Sequence, residues 1–138
     1  MGQALAVLEN LLHRVRCWAE SEGIQAVALV GSHARGAARH DSDVDLVVLT
    51  RRKPELIADL RWLDRFGRVE RTQIEDWGRV TSIRAWFEGG LEVEFGIAAP
   101  EWATDADDGT RIVISSGFEV VSDPAGILET LRIRSRAV

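Results

Sequence analysis

The residues best suited to chemistry lie between two short apolar segments in the first third of the chain. Gly31 and Ser32 follow the first segment, and Asp43 and Asp45 stand at the start of the second. Side chains alternate along a strand, so Asp43 and Asp45 would project from one face, close enough to share divalent cations. Gly31 permits a tight turn, and Ser32 offers hydroxyl and backbone N–H donors to a phosphate. The spacing therefore predicts a site for a triphosphate and its metal ions.

A plain turn explains part of this pattern. Gly-Ser dipeptides are common in turns, and Asp41, Ser42 and Asp43 could simply close a loop. The turn leaves Asp45 unexplained, because an unpaired charge inside an otherwise apolar strand is costly. Two carboxylates this close also repel unless a metal or a proton intervenes. The combination favours a metal and phosphate site.

The apolar segments on either side are predicted to be strands that position these groups. Residues 24–30 and 44–50 are short and almost wholly apolar, as in strands that are covered on both faces. A helix that ends at Gly23 should cover the sheet. Its apolar stripe comprises Leu5, Leu8, Leu12, Val15 and Ala19.

The later elements follow from the same periodicities. A helix should open at Pro54 and end near Gly67, with one face formed by Leu56, Leu60 and Leu63. Three strands are predicted at 69–74, 80–87 and 91–96, the last two joined as a hairpin by the loop 88–90. Beyond Pro100 the pattern predicts an acidic loop at 104–109, a mixed segment at 111–121 and a closing helix at 125–134. This order of elements indicates an α+β, or mixed α/β, fold in a single domain, 1–138.

Composition excludes several classes of protein. The 138 residues carry a net charge of −5, which disfavours non-specific electrostatic binding to the phosphate backbone of nucleic acid. Cys17 is the single cysteine, so a disulfide framework or a Cys-based zinc site cannot form within one chain. No segment is long and apolar enough to cross a bilayer, and charges within residues 1–22 interrupt the apolar region that a signal peptide needs. A cytoplasmic protein with no membrane partner is predicted.

The motif resembles that of the nucleotidyltransferase superfamily that includes DNA polymerase beta. The pattern G-S-x(10)-D-x-D is met by Gly31, Ser32, Asp43 and Asp45. The strings Gly-Ser-His-Ala-Arg-Gly and Asp-Ser-Asp-Val-Asp-Leu are similar to those of bacterial minimal nucleotidyltransferases. The resemblance covers about residues 24–96. It implies the small nucleotidyltransferase fold, in which helices pack on a mixed, mostly antiparallel sheet of about four to six strands.

The resemblance also implies a reaction. Two Mg²⁺ ions would be held by the carboxylates, and a nucleoside triphosphate, with ATP favoured, would be the donor. A nucleoside monophosphate would pass to an acceptor hydroxyl, with pyrophosphate as the leaving group. Two metals that clamp the attacking and leaving oxygens suit such an in-line displacement.

The family expects a third carboxylate on a later strand, and Glu92 and Glu94 are both available. The apolar residues of that strand must face the core, so both glutamates lie on the other face, and the pattern alone does not separate them. A three-residue hairpin loop sets Arg84 opposite Glu94 and Trp86 opposite Glu92. The cation would keep Glu94 ionised, as a metal ligand and proton acceptor must be. We therefore predict Glu94 as the third carboxylate and expect Glu92 to face solvent or the acceptor.

The candidate nucleotide-binding residues are Gly31, Ser32, Arg35 and Arg84. Arg35 and Arg39 lie in the loop after Ser32, where either could contact a phosphate or simply be solvated. Trp86, on the polar face of the hairpin, could stack on a base or form the rim of the core.

The acceptor and the partners stay open. Larger members of the superfamily carry a second domain that completes the acceptor site, and 138 residues are too few for one. A partner chain or a second copy in a homo-oligomer would then contribute. Resemblance to minimal nucleotidyltransferases suggests an antitoxin that modifies a partner ribonuclease toxin, and resemblance to antibiotic-modifying members suggests an aminoglycoside acceptor. A non-catalytic nucleotide-binding or partner-binding module is a further alternative, against which the paired Asp43 and Asp45 argue.

Overall fold

A six-stranded mixed sheet forms the centre of the structure, a computed structural model that describes residues 2–34, 36 and 43–136. The strands are β1 (Ala26–Val30), β2 (Val44–Leu49), β3 (Val69–Asp76), β4 (Val80–Phe87), β5 (Glu92–Ala98) and β6 (Glu119–Ser122). The helices are α1 (Gly2–Glu22), α2 (Gly31–Ala34), α3 (Lys53–Ala58), α4 (Glu101–Thr104), α5 (Asp108–Ser115) and α6 (Ile127–Arg136), with a 3₁₀ helix at Leu60–Arg65.

The order of strands across the sheet is β3-β4-β5-β2-β1-β6. β2 and β5 run parallel, and the other four neighbouring pairs are antiparallel. The predicted α+β class and the mostly antiparallel sheet are therefore confirmed.

α1 forms where the periodicity predicts it and ends at Gly23, whose φ is +66°. Val15 and Ala19 of the predicted stripe are buried, and so are Leu11 and Trp18, because the buried face of a helix is wider than one row of residues. No helix among the described residues combines the length and the apolar character that crossing a membrane requires.

Helices pack on both faces of the sheet. On one face, α1 and the 3₁₀ helix share a core with alternate strand residues such as Val27, Leu46 and Phe95. On the other face, α4 and α6 pack against Ala28 and Val47. Because side chains alternate along β2, Asp45 lies on the same face as Val47. The predicted carboxylates therefore lie on the face that the C-terminal helices partly cover.

The single helix predicted from Pro54 to Gly67 is wrong, because the segment divides into α3 and the 3₁₀ helix. Asp59 lies between them in an extended conformation, with φ −139° and ψ 109°. Its carboxylate accepts a hydrogen bond from the Arg61 backbone N–H at 3.1 Å. An aspartate that bonds to its own local backbone in this way competes with continuation of the helix.

The segment after Pro100 is more regular than the predicted loop and mixed stretch. It forms α4, α5 and β6, and β6 pairs with β1 at the edge of the sheet. Asp107 from the acidic run caps α5, since its carboxylate accepts a hydrogen bond from the Thr110 backbone N–H at 2.9 Å. The closing helix is present two residues later than predicted, as α6.

Candidate functional site

The parallel pairing of β2 and β5 brings the predicted carboxylates together. Asp45 is directly opposite Glu94 in this register, and Asp43 precedes it by two residues on the same side. One carboxylate oxygen from each of Asp43, Asp45 and Glu94 lies within 4.8 Å of the other two. All three residues are half-buried. Carboxylate oxygens are hard ligands of the kind that Mg²⁺ and Mn²⁺ prefer, so this group fits the metal site that the sequence predicts.

Gly31 allows the close approach of β1 to the carboxylate of Asp45. β1 ends at Val30, which is paired with Asp45, and the chain turns at Gly31 with φ +75°. A Cβ atom at position 31 would lie 2.3 Å from Asp45 Oδ2. Any other residue would therefore be strained in its backbone and would also collide with Asp45.

Gly31→Ala is expected to displace the Asp45 carboxylate in addition to straining the backbone. Gly23→Ala is the matched control, because Gly23 has a similar φ of +66° and nothing within 4 Å of the added Cβ. The control should lose only the about 1–2 kcal/mol of unfolding free energy that a positive φ costs. Gly31→Ala should lose more and should also lose stabilisation by Mg²⁺. Thermal unfolding with and without Mg²⁺ measures both effects, and equal Mg²⁺ responses in the two variants would contradict the steric role of Gly31.

Asp45 is the carboxylate whose charge is least compensated. Its Oδ1 is buried and has no hydrogen-bond partner among the described residues. Burial, together with the negative charges of Asp43 and Glu94, raises the pKa of Asp45 from 3.8 to about 7. Without a metal, Asp45 therefore holds a proton below about pH 7, and a divalent cation would instead stabilise its ionised form.

The free energy of unfolding of the metal-free protein is expected to fall as the pH rises toward 7. Because the pKa of Asp45 is raised on folding, the native state holds a proton that the unfolded state has released. The contribution is complete below the unfolded pKa of 3.8 and is lost as the pH passes through about 7. Mg²⁺ should reverse the trend, because it binds the deprotonated carboxylate.

Calorimetry of chelator-treated protein between about pH 5 and pH 8, alongside Asp45→Asn, checks this dependence. The variant cannot ionise at position 45, so its stability should fall less over this range. Parallel curves for the two proteins would contradict the raised pKa of Asp45.

Arg84 is the cation of the site. The predicted hairpin register is confirmed, with Arg84 opposite Glu94 and Trp86 opposite Glu92. Arg84 Nη2 donates to Glu94 Oε2 at 2.9 Å, and Nη1 donates to Asp43 Oδ2 at 3.2 Å. Nη1 also donates to Glu92 Oε2. A direct phosphate contact by Arg84 would therefore compete with three carboxylates.

Glu92 differs from its expected position facing solvent or the acceptor. Both of its oxygens are held, Oε2 by Arg84 and Oε1 by Trp86 Nε1 at 2.8 Å. An arginine on the neighbouring strand reaches diagonally as well as straight across, which explains the additional pair. The indole of Trp86 is covered on one side by the Arg71 guanidinium, 3.9 Å from the ring centroid. Base stacking on Trp86 would therefore have to share the ring with Arg71.

Ser82 is a site residue that sequence reasoning missed. Its hydroxyl donates to Glu94 Oε1 at 2.6 Å, and the residue is buried. With Arg84 on Oε2, both oxygens of Glu94 are held in place. The available signal was the two-residue spacing from Ser82 to Arg84, which sets both side chains on the same face of β4.

The loop that carries the remaining predicted residues is described only in part. Ser32 lies in the four-residue helix α2, directly after Gly31, and is half-buried. Arg35 and Arg39 lie outside the described residues. The phosphate-binding roles of Ser32 and Arg35 stay predictions.

Comparison with known proteins gives a family and a fold. A family model described as a nucleotidyltransferase domain matches residues 13–89, which include the Gly-Ser and Asp-Val-Asp motifs and end before Glu94. An aminoglycoside 6-adenyltransferase from Bacillus subtilis is similar in structure, with a TM-score of 0.52 and 18% identity over 66% of this chain and 34% of that chain. A CCA-adding enzyme in its apo form has a TM-score of 0.54 and 16% identity over 90% of this chain and 31% of that chain.

The two likenesses show the fold, and the chain spans about a third of the length of these solved structures. No curated protein matches the chain.

Proposed function

The chain belongs to the nucleotidyltransferase domain family, and from this membership and the carboxylate geometry we propose that it is an enzyme that moves a nucleoside monophosphate from a triphosphate donor to an acceptor hydroxyl. Pyrophosphate is the other product. ATP is the proposed donor, so the transferred group is AMP.

The observation that supports this proposal most strongly is the meeting of Asp43, Asp45 and Glu94 on adjacent strands. These three residues would hold the divalent cations, proposed to be two Mg²⁺ ions. Bound metals would neutralise the triphosphate and lower the pKa of the acceptor hydroxyl. A module that only binds nucleotides does not need three carboxylates that repel one another.

The protein's own groups then orient the reaction. Gly31 and Ser32 are proposed to cradle the phosphates at the end of β1. Ser82 and Arg84 fix both oxygens of Glu94. Glu94 is proposed to accept the proton of the attacking hydroxyl.

The acceptor is proposed to be a hydroxyl of a protein or of a small molecule. A protein acceptor fits an antitoxin that modifies a partner toxin, and an aminoglycoside acceptor is the alternative. A partner chain or a second copy of this chain is proposed to contribute to the acceptor site.

Incubation with α-labelled nucleoside triphosphates and Mg²⁺ tests the proposal. A partner ribonuclease and an aminoglycoside serve as acceptors in parallel reactions, with Asp45→Asn as the matched inactive control. We expect label from ATP on one acceptor, with release of pyrophosphate, and none with the control. If the protein showed neither transfer nor Asp45-dependent triphosphate binding, the proposed nucleotidyltransferase activity would be rejected.

A further inference from the structure

Arg84 forms ion pairs with three carboxylates at once. Its guanidinium lies 3.2 Å from Asp43 and 2.9 Å from Glu94, two of the three proposed metal ligands. It also contacts Glu92, which is outside that group of three. Asp45, the third ligand, keeps a buried oxygen without a hydrogen-bond partner in the part of the chain that the structure describes. Arg84 thus places a positive charge beside two of the three carboxylates that would hold a metal ion.

Two cations at this position compete. A divalent ion held by Asp43 and Glu94 would share these two carboxylates with the guanidinium, and the two positive charges would repel. A free metal ion must displace Arg84 or bind beside it. A metal ion that arrives on a triphosphate brings negative phosphate oxygens, and these can pair with the N–H groups that Arg84 frees.

Glu92 gives Arg84 a partner that metal binding does not take away. Its other oxygen is fixed by Trp86 Nε1 at 2.8 Å, and Trp86 is packed under Arg71. Arg84 can therefore leave Asp43 and Glu94 and stay paired with Glu92, beside the metal ligands.

We infer that Arg84 is a positioning residue that weakens the binding of a free divalent cation and so favours a cation delivered with a nucleoside triphosphate. Glu92 is the anchor from which Arg84 acts. This inference rests on the proposed function and adds to it a preference of the site for the metal–triphosphate complex over the free metal ion.

Binding of Mn²⁺, followed by electron paramagnetic resonance, tests the inference. We expect Arg84→Met to bind Mn²⁺ alone at least about tenfold more tightly than the wild type, because a competing charge is gone. Its affinity for Mn²⁺ together with a non-hydrolysable ATP analogue should not rise. The ratio of the two affinities, which measures the preference for the metal–triphosphate complex, should therefore fall. An Arg84→Met protein that binds Mn²⁺ alone no more tightly than the wild type overturns the inference.

Arg79→Met is the matched control for net charge. Arg79 pairs with Asp107 at 3.1 Å and donates to the backbone carbonyls of Glu101 and Asp105, outside the carboxylate group. Both single variants change the net charge from −5 to −6. Tighter Mn²⁺ binding by Arg79→Met to the same degree would reduce the effect to general electrostatics and overturn the role of Arg84.

Glu92→Gln tests the anchor. It should weaken binding of Mn²⁺ alone, because Arg84 is then left with Asp43 and Glu94, and the effect should be smaller in the Arg84→Met background. An equal effect in both backgrounds would overturn the anchor role. The double variant also keeps the net charge at −5, so it provides the measurement if Arg84→Met does not fold.

The same binding measurements distinguish failure of the proposed function from failure of the role of Arg84. A wild-type protein without Asp45-dependent binding of Mn²⁺ and the analogue would overturn both proposals. Intact Asp45-dependent binding with no change in Arg84→Met overturns only the role of Arg84.

Discussion

Asp45→Asn is expected to abolish nucleotidyl transfer while the domain stays folded. The substitution removes a metal ligand from the group of three carboxylates. It also removes a carboxyl group whose pKa is raised to about 7 because its ionised form is unfavourable in this site. Near neutral pH the metal-free variant should therefore be at least as stable as the metal-free wild type. Asp43→Asn should show the same loss of transfer. Transfer rates, Mg²⁺-dependent triphosphate binding and thermal unfolding separate the chemical effect from the structural one.

Asp64→Asn is the control, because Asp64 is an exposed aspartate on the 3₁₀ helix. It should keep the wild-type rate. Unchanged transfer in both Asp43→Asn and Asp45→Asn would show that these residues do not hold the metals.

Glu94→Gln is expected to slow transfer by at least about 100-fold, the lower end for loss of a general base. The amide is close in shape but cannot take the proton of the acceptor hydroxyl. Triphosphate binding through Asp43 and Asp45 should largely survive. Single-turnover rates, measured beside triphosphate affinity, distinguish a loss of chemistry from a loss of binding.

Glu92→Gln is the comparison, because Glu92 lies on the same strand face but outside the group of three carboxylates. Its effect on transfer should be less than about tenfold. The reverse ranking of the two variants would show that the third carboxylate is Glu92.

Features that depend on neighbours in the chain could be predicted from the sequence. The hairpin register follows from the alternation of apolar and polar residues and the three-residue loop, so the sequence predicts Arg84 opposite Glu94, as the structure has it. The position of the carboxylates on β2 follows from the same alternation. Asp59 shows where this reasoning fails, since the apolar spacing continues through a residue whose side chain breaks the helix.

Features that depend on strands distant in sequence could not be predicted from the pattern. The pairing of Asp45 with Glu94 joins β2 to β5 across the intervening α3, 3₁₀ helix and β3–β4 hairpin. Alternation gives the face of each strand and not its neighbour in the sheet. The hydrogen bond from Ser82 to Glu94 crosses the β4–β5 hairpin diagonally, and the contact that excludes a Cβ from Gly31 joins the consecutive strands β1 and β2. Both depend on side-chain positions that alternation alone does not give.

The central place of β5 in the sheet has a consequence for how the chain folds. β5 is the strand that connects the β3–β4 hairpin to β2, β1 and β6. It can reach β2 only after a long segment has been looped out, and such closure costs entropy before contacts compensate it. Until β5 docks, the hairpin is detached and Asp45 has no neighbouring Glu94. Docking of β5 on β2 and assembly of the carboxylate group are therefore one event, and a chain in which β5 has not docked holds no metal-ligand cluster with which to act on a nucleotide.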